Sequence, residues 1–215
     1  MRQNFTVVIE IILNNKTWVF ICVSMEYCRA LYEASEAAIC LMEYSYGTVL
    51  YREYLLNCPE IPGAWHGLAI CLEAIGNKEG SLNAYERALQ LYLEHDDPQN
   101  LLWGGWCAFK LGKYELAYEL FMKSLDKDPN YAYTWLSLGI AAFKIGKRSE
   151  GERAIGRYRV LIRERPYEKR ECEGIRMLIN AHNSLRRLIS EDSSIIKLIN
   201  ELMTKSIMKY GELCK

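Results

Sequence analysis

The sequence contains no uninterrupted apolar run of the roughly 20 residues that a membrane-spanning helix requires. Its most apolar stretch, residues 7–23, is broken by Glu10 and by the polar residues 14–17. This pattern fits neither a secretory signal peptide nor a membrane anchor. We therefore expect a cytoplasmic protein without a membrane-bound segment.

The short motifs of common catalytic and nucleotide-binding sites are also missing. No G-x-x-x-x-G-K-[ST] or G-x-G-x-x-G loop occurs, and neither H-E-x-x-H nor G-x-S-x-G is present. Acidic pairs such as Asp96-Asp97 lie where turns and helix caps are expected, and aspartate commonly forms both. We therefore expect no catalytic residues, no cofactor and no enzymatic activity.

Cysteine and histidine do not occur in the spacings that bind metal ions. The eight cysteines form no C-x-x-C pair, and the three histidines lie far apart. Most of the cysteines lie among apolar residues, where they can serve as small hydrophobic side chains. We expect no metal site and interpret the cysteines as reduced thiols in a reducing compartment. Their positions are Cys22, Cys28, Cys40, Cys58, Cys71, Cys107, Cys172 and Cys214.

The formal net charge is zero, but the charges are unevenly distributed. Residues 1–143 contain 10 basic and 17 acidic side chains, whereas residues 144–187 contain 13 basic and 6 acidic ones. The basic segment could attract a nucleic acid or an acidic protein surface. Alternatively, it forms a solvated helix face paired with the neighbouring glutamates. The basic patch consists of Arg153, Arg157, Arg159, Arg163, Arg165, Lys169 and Arg170.

What the sequence does contain is a repeat. From Tyr27 onward, apolar residues recur at three- and four-residue steps, which predicts helices. Gly76, Gly112 and Gly146 lie 36 and 34 residues apart, each between two helical stretches. Glycine suits such turns because it readily adopts the left-handed conformation that ends a helix. Each block is therefore predicted to be a helix, a tight glycine turn and a second helix.

Residues at two other positions, which also recur from block to block, explain how the two helices of a block pack. Small residues in the first helix (Ala69, Gly105, Gly139) recur with the same period as large residues in the second helix (Tyr85, Phe121, Ile155). The small side chains let the partner helix approach, and the large ones fill the space that this leaves.

These residues resemble a known family. Tyr114–Asn130 reads Y-E-L-A-Y-E-L-F-M-K-S-L-D-K-D-P-N, and Trp135–Lys147 reads W-L-S-L-G-I-A-A-F-K-I-G-K. They resemble the second and first halves of a tetratricopeptide repeat. Three repeats are recognisable, at 62–97, 98–131 and 132–165, and a degenerate one fits 28–61 with Met42 in place of the turn glycine. The resemblance implies an all-α, right-handed solenoid of antiparallel helix pairs.

The two ends depart from the repeat. In the N-terminal extension, residues 1–27, two apolar runs around Asn14–Thr17 favour a β-hairpin; alternatively the folded part begins near Met25. Residues 166–215 predict two helices, at about 168–189 and 192–211. The second has an apolar stripe that includes Ile195, Ile199 and Leu202. We expect both helices to cap the exposed apolar face of the last repeat.

In the family, the first helices of successive repeats line a concave, peptide-binding groove. Carried over by column, the first recognisable repeat contributes Gly63, His66, Ile70 and Glu73, and Gln99 follows in the next. Phe109 and Phe143 could instead pack between helices. The columns that hold a terminal carboxylate in some family members carry Tyr32, Glu36, Gly67, Gln99 and Trp103, so we do not expect that mode. The predicted partner-binding residues are Leu102, Trp106, Phe109, Lys110, Tyr133, Leu136, Ile140, Phe143 and Lys144.

The resemblance therefore predicts an adaptor or scaffold that binds a protein or peptide partner in this groove. Two alternatives remain open from the sequence. The arginine-rich segment 144–187 could associate with nucleic acid or with an acidic partner. The chain could also self-associate, with its C-terminal helix occupying the groove.

Overall fold

The computed structural model describes residues 8–13, 16–21, 25–162, 170–190 and 193–210. They form two compact units. The terminal unit comprises Met1–Glu60 and Lys169–Lys215, and the repeat unit comprises Ile61–Glu168. The strands are β1 (Val8–Leu13) and β2 (Lys16–Ile21), and the helices are α1 (Met25–Cys40), α2 (Tyr44–Asn57), α3 (Pro62–Ala74), α4 (Lys78–Tyr92), α5 (Pro98–Lys110), α6 (Tyr114–Lys127), α7 (Ala132–Lys144), α8 (Arg148–Ile162), α9 (Arg170–Leu185) and α10 (Ser194–Tyr210). Among the helices of these described residues, none combines the length and the hydropathy of a membrane-spanning segment.

The repeat unit consists of three helix pairs whose turns share one geometry. Gly76, Gly112 and Gly146 have φ angles of 84°, 77° and 81°, in the left-handed region that favours glycine. The backbone N–H of the next residue donates to a carbonyl five residues back, at 2.9, 2.9 and 2.8 Å respectively. This bond is one part of the Schellman motif, which satisfies the last carbonyls of a helix. The predicted glycine turns are confirmed.

The first helix pair, α1 and α2, uses the same turn without glycine. Met42 has a φ of 59°, and the N–H of Glu43 donates to the carbonyl of Ala38 at 2.8 Å. A residue with a Cβ is strained in this conformation. Met42 therefore occupies the structural position of the turn glycine, as its column in the sequence predicts.

The predicted packing of small against large residues is also confirmed. A Cβ on Gly105 would overlap the Phe121 ring, and one on Gly139 would lie 2.7 Å from Cδ1 of Ile155. Phe121 is fully buried. Contacts this close leave no room for a methyl group, so the two glycines let α5 and α7 lie directly against α6 and α8.

The terminal unit combines both ends of the chain. Strands β1 and β2 pair antiparallel, from Val8 opposite Ile21 to Leu13 opposite Lys16. Helix α9 packs along α1, and α10 contacts α9 and α2. In α10, Ile195, Ile199 and Leu202 are at most 6% exposed, so this part of the predicted stripe is buried, whereas Ile207 near the end of the helix is 46% exposed. Within the terminal unit α10 contacts α9 and α2, whereas the sequence predicted a cap on the last repeat. The physical reason is that α9 packs along α1, which leaves α9 and α2 as the surfaces that α10 contacts.

A disulfide joins the two ends of the first helix pair. Cys28 in α1 and Cys58 after α2 are bonded, with their Cα atoms 5.6 Å apart. The prediction that all cysteines are thiols was wrong for this pair. Their 30-residue separation gives no sign of proximity in the sequence, but antiparallel helices bring the start of one next to the end of the other. Cys71 and Cys107 are buried thiols.

Candidate functional site

The first helices of the three pairs, α3, α5 and α7, form a shared surface of the repeat unit. Helices α5 and α7 are in contact. Helix α5 is joined to α3 by an ion pair in which Nζ of Lys110 lies 2.8 Å from Oε1 of Glu73. We call the surface of these three helices the first-helix face.

The α7 part of the first-helix face exposes apolar side chains. Tyr133 and Phe143 are 54% and 46% exposed, and Leu136 and Ile140 are partly exposed. The Phe143 ring also lies against α8, since a Cβ built on Gly151 would be 3.0 Å from it. Phe143 therefore packs between helices, and nearly half of its surface is still exposed to solvent.

On α5, three aromatic side chains, those of Trp103, Trp106 and Phe109, are partly exposed. The Trp106 ring packs edge-on against Phe109 and Phe121, with centroids 5.5 and 5.9 Å apart. Leu102, which the sequence assigned to the binding surface, is only 1% exposed and cannot contact a partner. A side chain on a helix leans over the preceding turn, and Trp106 follows Leu102 by one turn. Of the apolar α5 residues that were predicted to bind a partner, Trp106 and Phe109 remain partly exposed.

At the α3 end, His66 is buried among aromatic rings. Its ring centroid lies 5.9 Å from that of Tyr85, 6.0 Å from Tyr92 and 5.4 Å from Trp103. Burial, with a smaller effect of Lys110, lowers the pKa of His66 to about 4, so the imidazole is neutral at pH 7. It therefore belongs to the core beneath the surface. In the part of the chain that the structure describes, no three His, Cys, Asp or Glu residues are grouped as metal ligands.

The two lysines of the surface differ in their partners. Glu73 accepts hydrogen bonds from Lys110 at 2.8 Å and from the Tyr85 hydroxyl at 2.7 Å. Burial acts to raise the pKa of Glu73, but these hydrogen bonds outweigh it and hold the pKa below its ordinary value. Lys144 instead lies over the ring of Tyr114, with Nζ 5.7 Å from the centroid. Among the described residues, no carboxylate pairs with Lys144.

The basic patch is only partly described. Arg153, Arg157 and Arg159 are exposed on α8. Arg163, Arg165 and Lys169 lie outside the described residues, as does the side chain of Arg170.

Sequence reasoning missed the Glu73–Lys110 ion pair and placed Lys110 at the rim of a groove. The signal that could have revealed the pair is a Glu and a Lys near the ends of successive first helices, 37 residues apart. That spacing is close to one repeat period. It also missed the burial of His66, because a histidine in a surface column resembles a binding residue until its aromatic neighbours are placed.

The comparisons agree with this architecture. Residues 75–158 match the family model for anaphase-promoting complex, cyclosome, subunit 3. PilF of Pseudomonas aeruginosa is 14% identical, with 87% of this chain and 92% of that one covered and a TM-score of 0.53. YrrB, described as a TPR protein with an unusual peptide-binding site, is 16% identical over 62% of this chain and 68% of that one, with a TM-score of 0.48. MamA of Desulfovibrio magneticus is 16% identical over 86% and 96%, with a TM-score of 0.47. No curated protein sequence matches the chain.

Proposed function

We propose that this chain, which has the tetratricopeptide-repeat fold, is an adaptor that binds an apolar segment of a partner protein on its first-helix face. The observation that carries the proposal is the half-exposed pair of aromatic rings on α7, Tyr133 and Phe143. They lie on one helix with the partly exposed Leu136 and Ile140. A contiguous apolar surface of this kind typically marks an interaction site. Its role is binding, and no step of catalysis is assigned to it.

The exposed apolar area on α7 provides a favourable hydrophobic contribution to binding. Burying the exposed half of one aromatic side chain removes about 100 Å² from water, which contributes roughly 2.5 kcal/mol. Tyr133 and Phe143 together thus offer about 5 kcal/mol before the cost of association is subtracted. The rings are already held by helix packing, so little ordering is needed when the partner binds. The partly exposed Trp106 and Ile140 add further apolar area to this favourable contribution.

The family match supports an assembly role, because its description names a subunit of a multi-subunit complex. For self-association through the C-terminal helix, the structure presents an obstacle. Ile195, Ile199 and Leu202 of α10 are buried within the terminal unit, so α10 would have to leave that unit to occupy the first-helix face. Association of a nucleic acid or an acidic partner with the exposed arginines of α8 remains the alternative, and it is separable by its salt dependence.

The test is capture of partners from an extract of the source cells. Wild-type protein is compared with Tyr133→Glu/Ile140→Glu on the first-helix face. A matched control, Met122→Glu/Val160→Glu, places two charges at apolar residues of the second helices that are 38% and 55% exposed. Circular dichroism and thermal melts check that all three proteins are folded.

We expect the wild type and the control to retain the same partners and the Tyr133→Glu/Ile140→Glu variant to lose them. Each capture is repeated with nuclease and at high salt. If the Tyr133→Glu/Ile140→Glu variant captured the same partners as the wild type, and nuclease treatment abolished this capture, the result would contradict the proposal and favour the basic patch.

A further inference from the structure

Two lysines occupy the same position in successive helix pairs but have different surroundings. Lys110 is the last residue of α5, and Lys144 is the last residue of α7. Lys110 is neutralised by Glu73 of the preceding pair, at 2.8 Å. In α5, the residue that corresponds to Glu73 of α3 is Phe109. An aromatic ring therefore occupies the position from which a carboxylate could pair with Lys144. An ammonium group is therefore free of a carboxylate partner in the described part of this surface.

The missing carboxylate partner of Lys144 affects any ligand that covers the apolar side chains around this lysine. Phe143, the adjacent residue, is 46% exposed, and the partly exposed Ile140 lies one turn earlier. The ring of Tyr114 is uncharged, so its contact with Lys144 at 5.7 Å leaves the positive charge in place. An apolar ligand that covered Phe143 and Ile140 would take water away from the ammonium without replacing it. Desolvating an unpaired charge is unfavourable, so a ligand that fits must bring an anion.

The charges around α7 and α8 favour the same partner. Residues 144–161 contain six basic and two acidic side chains. The two acidic residues are already engaged, because Glu150 lies 3.9 Å from Lys147 and Glu152 lies 3.1 Å from Arg148. This end of the repeat unit therefore carries an uncompensated positive potential, which attracts and orients an acidic segment.

We propose that the segment bound on the first-helix face is acidic as well as apolar, with a carboxylate that pairs with Lys144 and apolar side chains that cover Ile140 and Tyr133. This inference rests on the proposed function. Tyr133 and Lys144 are eleven residues apart on one helix, a distance of about 16 Å. An extended segment of about five residues, or three turns of helix, spans it.

The test uses a displayed library of random twelve-residue peptides. It is selected in parallel on the wild type, on Lys144→Glu, on Tyr133→Glu/Ile140→Glu and on Lys123→Glu, which changes an exposed lysine of α6 as a control. We expect the wild type and Lys123→Glu to enrich peptides that carry Asp or Glu beside aromatic or aliphatic residues. On Lys144→Glu the enriched charge should change to Lys or Arg. A selected peptide, measured by fluorescence anisotropy, should bind Lys144→Glu at least tenfold more weakly, and exchanging its acidic residue for Lys should restore binding.

The other outcomes separate this inference from the proposed function. Absence of any selected peptide, or peptides that bind Tyr133→Glu/Ile140→Glu as well as wild type, would overturn both. Peptides that require Tyr133 and Ile140, but have no acidic preference or are insensitive to Lys144→Glu, would leave the binding surface in place and overturn the pairing with Lys144.

Discussion

Replacing Met42 by glycine should stabilise the chain. Met42, in the turn that follows α1, has a φ of 59°, whereas the corresponding residues of the repeat unit are glycines. The backbone hydrogen bond that closes the turn, from Glu43 to Ala38, is already formed at 2.8 Å. The substitution therefore keeps the turn and removes only the conflict between the Cβ and the left-handed backbone.

The size of the effect follows from two opposing contributions. A left-handed conformation costs a residue with a Cβ roughly 1–2 kcal/mol, and glycine avoids this. Glycine also loses more backbone entropy on folding, which costs roughly 0.5–1 kcal/mol. The expected net stabilisation is about 0.5–1 kcal/mol. The Met42 side chain is 51% exposed, so some packing is lost in addition.

The assay is urea unfolding followed by circular dichroism, without reducing agent so that the disulfide remains intact. Met42→Ala is the matched control, because it removes the same side-chain contacts as Met42→Gly but retains the Cβ. The free energy of unfolding of the glycine variant should exceed that of the alanine variant by about 0.5–1 kcal/mol. A reciprocal change, Gly112→Ala, should cost a similar amount, because a Cβ there meets no atom within 4 Å and only backbone strain is added.

Equal free energies of unfolding for the glycine and alanine variants at position 42 would refute the reasoning. A harmless Gly112→Ala substitution would refute it independently, since the two positions share the same turn geometry.

Three further predictions concern packing, the disulfide and pH. Gly105→Ala should lower the free energy of unfolding by about 1–3 kcal/mol through overpacking against Phe121, and Phe121→Leu in the same chain should recover part of the loss; additive losses in urea titrations would argue against this contact. Cys28→Ser should cost about 3.5 kcal/mol from the entropy of the loop that Cys58 closes, and a thiol assay that labels both cysteines before reduction would contradict the bond. Because His66 is neutral in the folded chain with a pKa of about 4, the unfolded chain binds a proton as pH falls from 6.5 to 4. Stability should then decrease by at most about 3 kcal/mol, and His66→Gln should flatten this dependence; an unchanged pH profile would rule out the assigned burial effect.

The repeat unit was predictable because its determinants are local and periodic. The left-handed turns at Gly76 and Gly112 follow from the residue type and its spacing between helical stretches. The close approach of Gly105 and Phe121 follows from two columns that keep the same period. Such patterns specify a contact between two helices that follow one another in the chain. Because the helices are adjacent in sequence, few alternative packing partners exist.

The terminal unit was harder to predict because its contacts join distant parts of the chain. The apolar stripe of α10 indicates that the helix must be buried, but a stripe does not name its partner. The last repeat was the predicted partner, whereas α9 packs against α1 and α10 against α9 and α2. The Cys28–Cys58 bond depends in the same way on the pairing of two helix ends.

The candidate site could be predicted from the sequence only in part. Tyr133 and Phe143, which their positions in the repeat assigned to the binding surface, are exposed on α7. Positions in the repeat could not reveal that Leu102 is covered or that Lys110 is neutralised by Glu73, because both depend on side chains from another turn or another helix.

Site-specific photo-crosslinking tests the central claim most directly. Benzoylphenylalanine replaces Tyr133 on the first-helix face in one sample and Val160 on α8 in another, because both side chains are about half exposed. After irradiation in an extract of the source cells, the account predicts a covalent adduct with a distinct partner protein from position 133 and not from position 160. An adduct from position 160 alone, or equal adducts from both positions, would contradict binding on the first-helix face.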